Sequence, residues 1–186
     1  HFDDGLLDPA WNVSFQDAYG WTYGESGTEL TVTNLVPAVV NPAGGGTWSR
    51  VYLTRDFGGI DDIDLTFDFS WDSEGADTAM QKLNARLLDS SGNPVLNFGY
   101  DDPWVSSRGK AFANIYGDET WRYSSGEDTM PYAGDALVEV QRVDGVITVD
   151  WDGTTLLSAP LESSIHSVQI EFAYYALDHP YGDSFD

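Results

Sequence analysis

Ile63-Asp64-Leu65-Thr66-Phe67-Asp68-Phe69-Ser70-Trp71 is apolar at every second position. Ile63, Leu65, Phe67, Phe69 and Trp71 share one face, while Asp64, Thr66, Asp68 and Ser70 share the other. That period belongs to a β-strand with one face in a core and one in solvent. The same period recurs on both sides of this stretch. Leu30-Thr31-Val32-Thr33-Asn34-Leu35 alternates, and so does Ser167 to Tyr175, with Val168, Ile170, Phe172 and Tyr174 together. Leu83 to Leu88 and Val95 to Tyr100 flank Asp89-Ser90-Ser91-Gly92-Asn93-Pro94, a hairpin with a longer loop. Leu137 to Val143 and Val146 to Trp151 flank Asp144-Gly145, which suits the positive φ angles of a type I′ turn. Asp152-Gly153 then leads into Thr154 to Ser158. Only Gly75 to Arg86 could begin as a helical turn. About a dozen short strands with frequent turns predict an all-β fold, an antiparallel β-sandwich jelly roll. No repeat of fixed period suggests a propeller or solenoid.

The 186 residues suit one domain with a sizeable core. Apolar residues make up 41% and aromatics 14%, too many for a disordered chain. No apolar run reaches the ~20 residues of a membrane-spanning helix, so no membrane insertion is expected. The opening residues do not read as a cleavable signal, so a soluble or already processed chain is expected. Eight Lys and Arg stand against 31 Asp and Glu, a net charge of −23 that disfavours a nucleic-acid partner. Of those acids, 23 are Asp, the residue of turns and of Ca²⁺ shells. The absence of cysteine excludes disulfides, thiolate nucleophiles and sulfur-ligated metals.

Three passages resemble the concanavalin A-like (laminin-G-like) jelly-roll superfamily. Phe2-Asp3-Asp4-Gly5, then Trp11 and Leu30-Thr31-Val32, is similar to its opening. Val138 to Leu157, with Val149-Asp150-Trp151-Asp152-Gly153, is similar to its late hairpins. Gly182-Asp183-Ser184-Phe185-Asp186 resembles the place where its last strand starts. The resemblance implies a single β-sandwich domain, residues 1–186, cut from a longer extracellular or cell-surface protein. The superfamily holds lectins, binding modules, glycosidases and lyases, so fold alone does not settle function.

Carbohydrate binding needs aromatic faces for sugar C–H groups and polar side chains for hydroxyls. Trp104 and Trp121 sit in polar loop sequence and are candidates for stacking. Polar residues alternate with apolar ones at Asn84 and Arg86, Glu139 and Gln141, and Gln169 and Glu171. Phe112, Asn114 and Tyr116 form a similar row. On the concave sheet of a jelly roll these rows would line a glycan groove. The plainer alternative is a solvated sheet face with an Arg–Glu pair such as Arg86 with Glu139. The net charge favours a neutral or weakly charged glycan over a strongly sulfated one, unless Ca²⁺ bridges the two.

Asp3, Asp4, Asp183 and Asp186 would converge if the termini pair as the resemblance implies. They are the candidate ligands of a structural Ca²⁺. His1 could ligate copper together with His166 or His179, although a purification-tag remnant is the plainer reading. Non-catalytic polysaccharide binding is therefore the expected function. One alternative is a surface or filament domain that self-associates through sheet edges. Another is a glycosidase in which Glu139 and Glu171 face each other across neighbouring strands. The strand signature of laminarinase-like glucanases and the histidine strands of alginate lyases are both missing.

Overall fold

The computed structural model describes residues 10–16, 21–26, 29–34, 47–72, 79–101, 110–116, 122–123 and 133–176. Every regular element among them is a strand. They are β1 (Trp11–Gln16), β2 (Trp21–Ser26), β3 (Glu29–Asn34), β4 (Thr47–Ile60), β5 (Ile63–Asp72), β6 (Ala79–Leu88) and β7 (Pro94–Asp101). They continue with β8 (Lys110–Ile115), β9 (Arg122–Tyr123), β10 (Ala133–Val143), β11 (Val146–Trp151), β12 (Thr154–Pro160) and β13 (Ile165–Ala176). No described helix is long and apolar enough to cross a membrane.

Two antiparallel sheets make the sandwich. The larger has the order β1-β4-β13-β6-β7-β8-β9, the smaller β12-β11-β10-β5, and β2 and β3 form a separate hairpin. The chain changes sheet between β4 and β5, between β5 and β6, between β9 and β10, and between β12 and β13. The strand β13 therefore lies between β4 and β6, in the middle of the larger sheet.

The expected alternation fills the space between the sheets. Val51, Leu53, Ala85, Leu87, Leu96, Phe98, Tyr100 and Val168 face inward from the larger sheet. Phe69, Val138, Val140, Ile147, Val149 and Trp151 meet them from the smaller one. The Phe67 and Phe98 rings stand 5.4 Å apart across the gap, tilted by 57°. Trp11 packs against this core from β1, and the Arg55 guanidinium lies 5.9 Å from its ring centroid. Truncation of a ring such as Phe98 would cost about 3–5 kcal/mol. The side chains of Trp71 and Tyr174 lie outside the described residues.

Both Asp-Gly turns form as predicted. Asp144 and Gly145 have φ of 51° and 76°, and Asp152 and Gly153 have 48° and 72°. Asp152 Oδ1 also accepts the Leu137 amide at 2.9 Å, tying one turn to the neighbouring strand. The longer hairpin loop is organised by Asp89, whose Oδ1 accepts the Ser91 and Asn93 amides at 2.8 and 2.9 Å. Chiefly the Asn93 amide bond holds this carboxyl below its ordinary range.

Two elements go beyond the sequence reading. Gly75 to Arg86 does not begin a helix where it is described, since Ala79–Leu88 is a strand paired with both β13 and β7. The alternation of Asn84 and Arg86 with Ala85 and Leu87 explains why the sheet wins. The longest strand, β4, was not among the expected ones, although Arg50-Val51-Tyr52-Leu53-Thr54-Arg55 alternates clearly.

Candidate functional site

The outer face of the larger sheet carries polar residues in rows set by strand register. One row runs Thr54, Gln169, Arg86, Asn97, Asn114 across β4, β13, β6, β7 and β8. The adjacent row runs Tyr52, Glu171, Asn84, Gly99, Phe112 across the same strands. Their sequence neighbours Leu53, Ile170, Ala85, Phe98 and Ala113 belong to the core side, so pleat alternation turns both rows outward. A solvated sheet face would be exposed, yet Asn97 keeps 8% exposure, Asn114 5%, and Phe112 and Glu171 3% each. Outward-facing residues that are buried distinguish this stretch, the polar floor of the candidate site, from a solvated sheet face.

At its centre Glu171 gathers two cations. Arg86 Nη2 donates to Glu171 Oε2. Asn84 Nδ2 donates to the same oxygen at 3.3 Å, and Arg50 Nε lies 3.2 Å from Oε1. The chain of contacts continues sideways. Arg86 Nη1 donates to Gln169 Oε1 at 3.0 Å, and Gln169 Nε2 donates to Thr54 Oγ1 at 3.2 Å. A buried carboxylate needs this company, because desolvated charge is stable only when paired and hydrogen-bonded.

The amides beside this centre are treated differently. Asn84 Oδ1, Asn97 Oδ1 and Asn114 Oδ1 are buried and accept no hydrogen bond from the described residues. A buried acceptor left unpaired costs about 1–3 kcal/mol, so native proteins seldom retain one without a use. Here three occur on consecutive strands, β6, β7 and β8.

The candidates read from the sequence divide into three groups. Asn84, Arg86, Asn114 and Glu171 come together on this floor, and Tyr116 stands at its end, 60% exposed, just past β8. Glu139 and Gln141 do not join them: β10 belongs to the smaller sheet, where they alternate with the core residues Val138 and Val140. Gln141 instead donates to Asp64 at 3.4 Å. Packed sheets lie about 10 Å apart, and these two residues look away from the sandwich on its far side. Glu139 and Glu171 therefore do not face each other across neighbouring strands, and the ~5 Å carboxylate pair of a retaining glycosidase is not formed by them. The Arg86 carboxylate partner is Glu171, not Glu139.

Trp104, Trp121, Asp3, Asp4, Asp183 and Asp186 lie outside the described residues. Among the described residues, no group of three His, Asp or Glu side chains is placed to hold a metal ion. Asn97, Arg50, Tyr52 and Thr54 complete the floor without having been singled out from sequence. Asn97 carried a signal, since Leu96-Asn97-Phe98-Gly99-Tyr100 places an amide between three apolar residues.

No family model matches the sequence, and no curated protein matches it. Solved structures do. The whole chain superposes on 87% of an endo-acting O-glycanase, expressed by members of the human gut microbiota to initiate mucin breakdown, with TM-score 0.56 and 10% identity. Over 99% of its length it matches 57% of the GlcNAcα1-4Gal-releasing endo-β-galactosidase from Clostridium perfringens, with TM-score 0.53 and 8% identity. It also matches a sialidase, with 89% of this chain on 16% of that one, TM-score 0.51 and 11% identity. What these structures share with the chain is the fold, an antiparallel β-sandwich jelly roll.

Proposed function

We propose that this chain binds a polysaccharide on the outer face of its larger sheet and breaks no bond in it. The observation that carries the reading is the set of three buried, unpartnered amide oxygens at Asn84, Asn97 and Asn114. Sugar hydroxyls are donors of the right kind. A hydroxyl that reached these oxygens would supply a donor that the described residues do not. Tyr52, partly exposed in the same rows, and Tyr116, exposed just past β8, supply aromatic surface on which a pyranose C–H face packs. Because the polar rows cross the strands, an extended glycan would run across β13, β6, β7 and β8. The matched structures named for glycan-active enzymes share the fold and agree with a glycan ligand.

A structural Ca²⁺ at Asp3, Asp4, Asp183 and Asp186, and an extracellular or cell-surface location, belong to the same proposal. The test is affinity gel electrophoresis against soluble neutral and acidic polysaccharides, each with Ca²⁺ and with chelator. Selective retardation by one glycan is the expected result, and its loss in chelator would bring Ca²⁺ into the account. No retardation by any member of the panel would overturn the reading and leave self-association through sheet edges as its successor.

A further inference from the structure

The charges described on the polar floor are matched within the protein. Glu171 takes Arg86 on Oε2 and has Arg50 beside Oε1. The other contacts of these arginines are also internal. Arg86 Nη1 donates to Gln169 Oε1 at 3.0 Å, and Arg50 Nη1 donates to the Tyr52 hydroxyl at 3.5 Å. An anion arriving here would compete with a buried carboxylate that already holds both guanidiniums. An ammonium group would find that one carboxylate already taken.

The unmatched groups are of another kind. Asn84 Nδ2 donates to Glu171, while Asn84 Oδ1, Asn97 Oδ1 and Asn114 Oδ1 are buried and accept nothing from the described residues. Asn97 and Asn114 are each more than nine-tenths buried. An amide oxygen accepts and cannot donate, so its complement is an N–H or O–H group. A carboxylate or sulfate brings acceptors only, and would set its charge against the negative ends of three amide dipoles. Spacing adds a second constraint. Asn97 and Asn114 are register partners on β7 and β8, and neighbouring strands lie about 4.8 Å apart. One pyranose in an extended chain is of comparable length.

We propose that the ligand is an uncharged polysaccharide in extended form, whose hydroxyls donate to these amide oxygens on successive strands. This rests on the carbohydrate reading above and deepens it, by excluding uronic, sulfated and amino sugars from the floor. The net charge of −23 acts in the same direction, since it repels a polyanion before contact.

The test pairs charged polymers with uncharged forms of the same backbone. Polygalacturonate and hyaluronan are compared with their carboxyl-reduced products, and glycol chitosan with its N-acetylated form. Dextran, galactomannan and mixed-linkage β-glucan complete the panel. Binding is measured by isothermal titration calorimetry in about 0.15 M and about 0.5 M NaCl, which separates contact from long-range attraction. The expected result is that uncharged polymers bind, and that any charged one binds roughly tenfold or more weakly than its uncharged form. The Kd of the best ligand should change less than about twofold between the two salt concentrations. Asn97→Leu and Asn114→Leu should each weaken it roughly tenfold, with urea unfolding as the control for folding.

Tighter binding of a charged polymer than of its uncharged form overturns the uncharged assignment and leaves the carbohydrate reading in place. So does an affinity that falls steeply as NaCl is raised. Unchanged affinity in both folded leucine variants overturns the role given to the amide oxygens. Should those variants fail to fold, the paired polymers still decide on the wild type. Failure to bind any polymer removes the carbohydrate reading on which this inference rests.

Discussion

The two outer faces of the sandwich are built from the same alternation and differ in what they do with it. On the smaller sheet, Asp64, Thr66, Asp68 and Gln141 point into solvent and are exposed, and Gln141 donates to Asp64. On the larger sheet, Glu171, Asn97 and Asn114 also point away from the core and are nevertheless buried. The first arrangement keeps a sheet soluble. The second accepts a desolvation cost that folding does not require, which is why it reads as a site. An outward position is thus informative only together with its burial.

That contrast can be broken most forcefully at Glu171. Its replacement by Gln leaves the Arg50 and Arg86 guanidiniums beside a neutral group, with an expected loss of about 3 kcal/mol in urea unfolding. The partial exposure of both arginines places this at the lower end for buried pairs. A loss below about 1 kcal/mol would mean that the cluster is no more buried in solution than a surface pair.

Next come the amides. Asn97→Ala or Asn114→Ala removes an acceptor that folding has not paired, so stability should shift by no more than about 1 kcal/mol. Glycan affinity should drop roughly tenfold for each. A large stability loss with unchanged affinity would make these groups structural. On the opposite face, Glu139→Gln and Gln141→Ala should change stability by less than about 0.5 kcal/mol and leave glycan retardation as it was.

The smallest effect belongs to neither face. The Asp89 carboxyl is held below its ordinary range, mainly by the Asn93 amide, so its contribution is present above about pH 4. That contribution is lost as pH falls through the lowered folded-state value. Urea midpoints measured down to about pH 3 should therefore decline slightly more steeply for the wild type than for Asp89→Asn. Identical slopes would dismiss this turn as a titrating element.

Local periodicity made much of this architecture legible, because a pleat alternates whatever its partners are. The hairpin at Asp144-Gly145 and the inward set of β13 follow from residues close in sequence. What periodicity cannot supply is the sheet to which a strand belongs. Glu139 and Glu171 carry the same signature, a polar residue between apolar ones, and end on opposite outer faces because β10 pairs with β5 and β11 while β13 pairs with β4 and β6. Those pairings join segments far apart in the chain. The same limit hid the Arg86–Glu171 contact, which spans 85 residues. Asn97 is a different case: its alternation was visible, but its place between Arg86 and Asn114 emerges only from register.

The most direct measurement compares two double variants by affinity electrophoresis on the retarding glycan, with urea unfolding as the control for folding. Asn97→Ala/Asn114→Ala should lose retardation while remaining folded, and Glu139→Gln/Gln141→Ala should migrate like the wild type. Full retardation of the first with loss in the second would place the ligand on the smaller sheet and contradict the account.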